Sequence, residues 1–422
     1  MPLQGPLVVV TEAPAPDLVE ALAAADAFPV VESRWADASA AVIAIQPSAI
    51  VLADPGPAPD AEAARQLGLQ LRTRSGPLIP LISRARLGAN PAIAEALPVD
   101  AAAPTDRLVA RLRSALRIRA LHATVLRRAE TLAGETGLIA KFPDSDPLDD
   151  ATILVAGRGG SYPALAVAVG ERVGLVGALS IETAARYLAA RDIDGIIIGD
   201  GFSIRVIDAL LTAIAEDARF RDMPIAVLAA NADVAPHFGG LANLERIDGR
   251  PAQVLDWMLP LVRLRAFEAR LKRVLKALDA KGMIDPDTGL MTADAFRREL
   301  ARAVQEAEQR GAGLCIARFA FEPPLERRIS FDAARLIGGI VRNVDFARRE
   351  ADGAILVVFT ETELRSAHIV ARRIGTQLKS TMLADAHASR RSEPAITLAT
   401  LKASDTLDSL VTRVGSRMVA AA

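Results

Sequence analysis

Residues 151–200 read ATILVAGRGGSYPALAVAVGERVGLVGALSIETAARYLAARDIDGIIIGD. Three short apolar runs stand out: TILVAG (152–157), GLVGALS (174–180) and DGIIIGD (194–200). Longer helical patterns separate them. That alternation implies βαβ units and a parallel sheet. Working outward, MPIAVLAA (223–230) and the weaker NLERIDG (243–249) continue the plan. An earlier copy holds LVVV (7–10), FPVVES (28–33), AIVLAD (49–54), PLIPLIS (77–83) and a weak ALPVDA (96–101), with PDLVEALAAADA (16–27) as its clearest helix. In both copies the third strand ends in aspartate, at Asp54 and Asp200. A repeat at domain scale is stronger evidence than either copy alone.

The 422 residues suit two to four domains, each able to bury its own core. Net charge is −1, from 50 basic and 51 acidic residues, so no basic excess points to nucleic acid or an anionic membrane. The single cysteine, Cys315, lies in the apolar run LCIARF and reads as a buried, inert thiol. It excludes an intrachain disulfide framework and a cysteine-rich zinc site. MPLQGPLVVVTEAPAP has no basic n-region, so no signal peptide is expected, and no apolar run approaches the length of a membrane span. A cytoplasmic protein without membrane insertion is the expectation. Aromatic residues make up only 4%, so the cores must be built from Ala, Val, Ile and Leu.

The connectors read as helical. Leu264, Phe267, Leu271, Val274 and Leu278 are spaced as a coiled-coil seam; a helix packed on its own domain is the reading for the first half of the stripe, and a parallel dimer stalk that should end near Gly282 the reading for the part beyond the second copy's expected end. Leu108, Leu112 and Leu116 form a similar stripe. The Gly-, Pro- and Asp-rich stretch 134–150 reads as an inter-domain linker.

The repeated plan resembles the receiver domain of two-component response regulators, a (βα)5 doubly wound fold. The resemblance implies a site at the C-terminal strand ends. Such a site has two acids after strand one, a phosphorylatable Asp after strand three, a Ser or Thr after strand four, and Lys-Pro after strand five. The first copy offers Thr11, Glu12, Asp54, Ser83 and Ala103-Pro104. The second offers Gly157, Arg158, Asp200, Ala230 and Arg250-Pro251. The acids are halved in one copy and absent in the other, so no oxygen-rich Mg²⁺ site is expected in the second. Asp54 and Asp200 are the candidate phosphoacceptors. A polar strand end retained in a fold kept for dimerisation is the alternative for both. Arg158 beside Asp200 is expected to pair with it in place of a cation.

The third segment contains DPDTGLMTADAF (285–296) and RNVDFARREADGAILVVFTET (342–362). Together they resemble the two ends of a GGDEF domain, the fold that makes cyclic di-GMP from two GTP molecules. Asp285, Thr288, Gly289, Leu290 and Phe296 match its opening signature. The strand GLCIARFAF (313–321) stands where the family has its first core strand, EPAITLAT (393–400) its late strand, and TLDSLVTRVGSRMVAA its final helix. The catalytic parts are missing. No Asp lies between 314 and 324, where the family binds metal. The guanine-reading Asn is absent from PLERRISFDAARL, where only Asp332 could stand for the family's last Asp. Ala351 and Asp352 replace the paired glycines of the turn. A phosphate cradle needs a backbone without Cβ atoms there.

What survives is R-x-x-D, five residues before the turn, as Arg342-Asn343-Val344-Asp345. In the family this is the product-inhibition site, assisted by an Arg of the following helix, for which Arg373 is the choice. An Arg fork suits guanine O6/N7 or phosphate, and an Asp accepts from guanine N1 and N2. A structural Arg–Asp pair is the competing reading.

The expected fold is thus α/β: receiver-like domains at 1–125 and 151–262 with a linker at 126–150, a helical stalk at 263–283, and a degenerate GGDEF domain at 284–422. This order resembles the PleD class of response regulators and, with its eroded turn, the non-catalytic paralogues of that class. The resemblance implies a pseudoenzyme with no metal and no required cofactor. It would bind cyclic di-GMP through Arg342, Asp345 and Arg373, form a homodimer, and act as an effector or adaptor on other signalling proteins. A ligand-independent dimeric scaffold of a two-component or cell-cycle pathway is the alternative, and an active diguanylate cyclase the third reading.

Overall fold

The structure is a computed structural model that describes residues 6–53, 61–73, 76–84, 93–136, 145–228, 241–310, 313–322, 324–342, 344–360, 362–381, 394–403 and 405–416. The chain divides into two compact units. One comprises residues 1–130, 144–188 and 193–271, the other 131–143, 189–192 and 272–422.

The first unit holds both copies of the repeat. Copy one runs β1 (Leu7–Val10), α1 (Pro16–Ala24), β2 (Val30–Ser33), α2 (Ala38–Ile45), β3 (Ala49–Leu52), α3 (Ala61–Thr73), β4 (Leu81–Ser83), β5 (Leu97–Pro98) and the long α4 (Thr105–Thr136). Copy two runs β6 (Thr152–Ala156), α5 (Tyr162–Gly170), β7 (Gly174–Ala178), α6 (Ile181–Ala190), β8 (Gly195–Ile198), α7 (Ile204–Glu216), β9 (Ile225–Leu228), β10 (Leu244–Ile247) and α8 (Pro251–Asp279). The sheet orders are β2-β1-β3-β4-β5 and β7-β6-β8-β9-β10, with every pair parallel. These are doubly wound sheets, and each has its topological switch point between its first and third strands. The strands β1, β3, β6, β8 and β9 are buried at every position. Helices cover both sheet faces, so the sequence shows continuous apolar runs rather than alternation. The apolar stripe of α7 (Ile207, Leu210, Leu211 and Ile214) is buried against copy two's sheet.

Arg111 on α4 joins the two copies. Its side chain is 0% exposed, and its guanidinium donates to Glu245 Oε1 at 2.5 Å, Asn243 Oδ1 at 3.3 Å, Ala242 O at 3.2 Å and Pro98 O. Arg117 adds a fork onto Asp222, at 3.1 and 2.5 Å. Helix α4 carries on through 126–136, the first part of the span expected as linker.

The first half of the seam packs within the chain, as its alternative reading has it. Leu264 packs on the core of copy one beside Leu108, Leu112 and Leu261, and Phe267 meets the edge of the His122 ring at 5.1 Å. Leu271, Val274 and Leu278 are 1%, 3% and 8% exposed within the single chain. The 3-4 spacing marks a stripe that is packed within the single chain. Apolar periodicity reports burial without naming what does the burying.

The second unit runs α9 (Ala293–Arg310), β11 (Cys315–Phe321), α10 (Arg327–Ile340), β12 (Phe346–Arg349), β13 (Ile355–Phe359), α11 (Leu364–Thr381), β14 (Pro394–Thr400) and α12 (Leu407–Ser416). Its sheet, β12-β13-β11-β14, is antiparallel throughout. One face packs Ala317, Phe319, Val357 and Phe359 against Ala334 and Ile337 of α10 and Ile374 and Leu378 of α11. The other packs Ile316 and Val358 against Leu300 of α9 and Val414 of α12. Cys315 is buried in this sheet, and burial pushes its thiol above the ordinary value, in line with an inert thiol. Arg318 is the one position of β11 that is not fully buried.

The opening signature has a local physical role. Asp285 Oδ2 accepts from Thr288 Oγ1 at 2.7 Å, Asp285 Oδ1 accepts from the Asp287 amide at 3.2 Å, and Gly289 takes φ +72°. The turn closes through Asp285 N donating to Leu290 O at 2.8 Å, and Met291 N then donates to Ala347 O at 2.9 Å, tying it to β12. Asp, Thr and Gly are needed at these positions for an Asx-type turn with one left-handed residue.

Candidate functional site

At the switch point of copy two, Asp200 follows β8 beside the loop after β6. Its Oδ1 accepts from the Ser161 hydroxyl and, at 3.3 Å, from the Ser161 amide. These bonds, led by the hydroxyl, hold its carboxyl below the ordinary value. The expected pairing with Arg158 is not formed. Arg158 Nε donates to Gly201 O at 2.9 Å, and its guanidinium lies 5.4 Å from the Phe202 ring centroid. Its amide and that of Gly159 donate to Asp200 O at 3.3 and 3.2 Å. The loop therefore approaches Asp200 with its backbone while the side chain turns away. Space is tight, since a Cβ on Gly159 would lie 2.3 Å from Asp200 Cγ. A chain incubated with a small phosphodonor and Mg²⁺ is expected to show no aspartyl-phosphate at Asp200 by intact-mass and peptide analysis. An adduct at that residue would overturn this reading of the strand end.

In copy one, Thr11 Oγ1 donates to Ala13 O at 2.5 Å, and Glu12 Oε1 accepts from the Trp35 amide at 3.3 Å. Ser83 is buried at the end of β4. Arg84, next along, donates to Ala101 O at 2.7 Å and to Ala103 O at 3.2 Å, beside Pro104. Asp54, like Ala230 of copy two, lies outside the described residues.

In the second unit, β12 and β13 are joined by Glu350–Ala354. Glu350 N donates to Ala354 O at 2.7 Å, Gly353 N to Glu350 O at 3.1 Å, and Ala354 N to Asp352 Oδ1 at 2.9 Å, while Gly353 adopts φ +88°. Two carboxylates crown this turn, and Arg318 on β11 bridges them. Its Nε donates to Glu350 Oε2 at 2.9 Å and its Nη2 to Asp352 Oδ2. Arg348 adds a bond to Glu350 Oε1 at 3.2 Å. On the opposite side of the hairpin, Arg349 Nε donates to Ser330 Oγ at 2.8 Å, and Arg327 and Arg349 both lie over the Phe331 ring. Asp332 is pushed up to about 6, chiefly by burial, against the pull of Arg335 and Arg328. Its Oδ1 accepts from Arg335 Nη1 at 3.3 Å, and Arg335 Nε is spent on Asp287 O at 3.0 Å. These residues do not fit a catalytic metal pair. A guanidinium stands between the acids, and among the described residues no three His, Cys, Asp or Glu side chains converge as ligands.

Arg342 and Asp345 do come together. Arg342 Nε and Nη2 donate to Asp345 Oδ2 and Oδ1 at 2.8 and 3.0 Å, and Nη2 also reaches Thr362 Oγ1 at 2.8 Å. Asp345 Oδ1 accepts from the Thr360 amide at 3.0 Å as well. The two side chains differ sharply in exposure, 57% for Arg342 and 2% for Asp345. The oxygens of Asp345, the expected acceptor for guanine N1 and N2, serve Arg342 and the end of β13 in this structure. In this geometry it positions the fork. Arg373 is exposed on α11, nine residues or about 13 Å of helix rise beyond Leu364. Asn343 lies outside the described residues.

Two features escaped the sequence reading: the Arg318 bridge and the Ser330–Arg349 contact. A charged residue inside the apolar run CIARFAF was the available signal for the first.

No helix among the described residues is long and apolar enough to cross a membrane. No protein-family model matches the chain, and no curated protein matches it. Among solved structures, the coiled-coil and GGDEF domain of DgcB from Caulobacter crescentus, in complex with c-di-GMP, is similar at 21% identity and TM-score 0.31, over 36% of this chain and 86% of that one. The FimX GGDEF domain from Pseudomonas aeruginosa is similar at 18% identity and TM-score 0.28, over 32% and 89%. The diguanylate cyclase SiaD from the same organism, in complex with its activator SiaC, is similar at 16% identity and TM-score 0.30, over 36% and 64%.

Proposed function

We propose that this chain is a non-catalytic signalling protein that binds cyclic di-GMP at Arg342 and acts as an effector or adaptor on partner proteins. The observation that carries the proposal is the Arg342–Asp345 fork: a guanidinium held in plane by a nearly buried carboxylate, with 57% of its side chain exposed. A pre-oriented planar fork suits guanine O6/N7 or a phosphate, and holding it beforehand lowers the entropy lost on binding. The offset of R-x-x-D from the turn, inside the resemblance to a GGDEF domain and to the PleD class with its non-catalytic paralogues such as PopA, supports the same reading. The turn argues against catalysis. Its acids are neutralised by Arg318, and Asp352 sets a carboxylate where a phosphate cradle needs bare backbone.

Titration calorimetry with cyclic di-GMP tests this. Binding in the micromolar range or tighter is expected, and Arg342→Ala should weaken it roughly 10- to 100-fold, the worth of a charge-assisted bond pair. No heat at tens of micromolar, or binding unchanged in Arg342→Ala, removes the proposal. A GTP-turnover assay with Mg²⁺ or Mn²⁺ should show no cyclic product. The scaffold reading draws on the same closed ion pair taken as purely structural. Partner capture that is equal with and without cyclic di-GMP would favour it.

A further inference from the structure

The turn Glu350–Ala354 puts two carboxylates close together on the rim of an antiparallel sheet. Paired acids on a tight turn, with an Asx-type bond from Ala354 N to Asp352 Oδ1, form a donor set that a hard divalent cation favours. Left bare, they would repel one another and draw a cation from solution. They are not bare. Arg318 comes from the neighbouring strand, in register with Leu356 of β13, and sends one nitrogen to each acid. Its side chain is only 12% exposed and Glu350 is 20% exposed, so that arm is shielded from solvent, while Asp352 stands at the open end of the bridge with 56% of its side chain exposed. Arg348 completes the coordination of Glu350 from the strand before the turn.

We infer that the Arg318 guanidinium is a built-in cation, occupying the position between strand and turn that a divalent ion would otherwise take. The turn is then a metal-independent lock. It closes this rim to Mg²⁺ or Mn²⁺, and with them to a nucleoside triphosphate that needs such ions to approach two carboxylates. The fork geometry explains the choice of Arg over Lys, since two nitrogens at fixed spacing serve two acids at once. This inference is independent of cyclic dinucleotide binding at Arg342, which lies on the other side of β12 in sequence and shares none of these side chains.

Mn²⁺ is the probe, followed through its paramagnetic signal with the full chain. Wild type and the charge-neutral Glu350→Gln/Asp352→Asn variant should bind the same amount of Mn²⁺, because the turn contributes no site in either. Arg318→Ser should gain one site, and adding Glu350→Gln to it should weaken that site by at least about 10- to 100-fold, the loss that removing even an outer-shell partner of a metal brings. Arg318→Lys keeps a charge on the strand if the serine variant folds poorly. It should bind Mn²⁺ no better than wild type, and its turn should loosen, read as faster amide exchange at Gly353 and Ala354. Two results overturn the inference: Mn²⁺ bound by wild type and lost in Glu350→Gln/Asp352→Asn, or a folded Arg318→Ser that gains no site.

Discussion

Glu245→Leu should cost the first unit about 3–5 kcal/mol, because it strands a buried charge. Arg111 has no exposed side-chain surface and Glu245 has 9%. Burial lowers the Arg111 pKa while Glu245 raises it, but a guanidinium does not give up its proton within a folded protein. The charge therefore stays, and losing Glu245 leaves it with three neutral acceptors, Pro98 O, Ala242 O and Asn243 Oδ1. Arg111→Met/Glu245→Leu removes both charges and should recover most of the loss. It should fall short of wild type by about 1–2 kcal/mol, because those acceptors then lack their donor. The two tryptophans, Trp35 and Trp257, both lie in the first unit, so denaturant unfolding followed by their fluorescence reports this unit. The difference between single and double variants gives the coupling directly. A Glu245→Leu chain that unfolds at the wild-type midpoint would show that the pair does not hold the two copies together.

The sheets were legible because their strands are buried on both faces. GIII at 195–198 and AIVL at 49–52 can be read as strands without knowing what covers them. The parallel pairing of the strands followed from the βαβ rhythm. What covers a stripe was not legible. Leu271 and Val274 have the spacing of an oligomer seam and are buried inside their own chain. Side-chain direction was hidden too. Arg158 stands beside Asp200 in space, yet the left-handed Gly201 leaves a carbonyl for it, and Phe202 offers a ring. In the second unit the residues of the turn could be read one by one. The bridge from Arg318 to both acids of the turn needed the strand register, which places residue 318 near residues 350 and 352 across 32 or more positions of chain.

Burial also governs Asp332 on α10. Its carboxyl is raised from 3.8 to about 6, with burial the largest cause. The folded chain therefore holds a proton there that the unfolded chain releases. Stability from this group is fully present below about pH 4, and it is lost as pH rises through about 6. At neutral pH the deficit is roughly 2–3 kcal/mol, from about two units at 1.36 kcal/mol each. Asp332→Asn cannot ionise, and its amide can still accept from Arg335. The variant should match wild type at pH 4 and exceed it by roughly that deficit at pH 7 and above. Carboxylates shifted the other way, such as Asp405, are common to both chains and cancel in the difference. Cys315 is the only thiol and lies buried in this unit, so its labelling during denaturant unfolding reports the second unit alone. A difference between the two chains that stays flat from pH 4 to 8 would mean that Asp332 ionises as readily folded as unfolded. Arg335 and Arg328 would then neutralise it fully, making it a permanent anion on α10 rather than a carboxyl half protonated near pH 6.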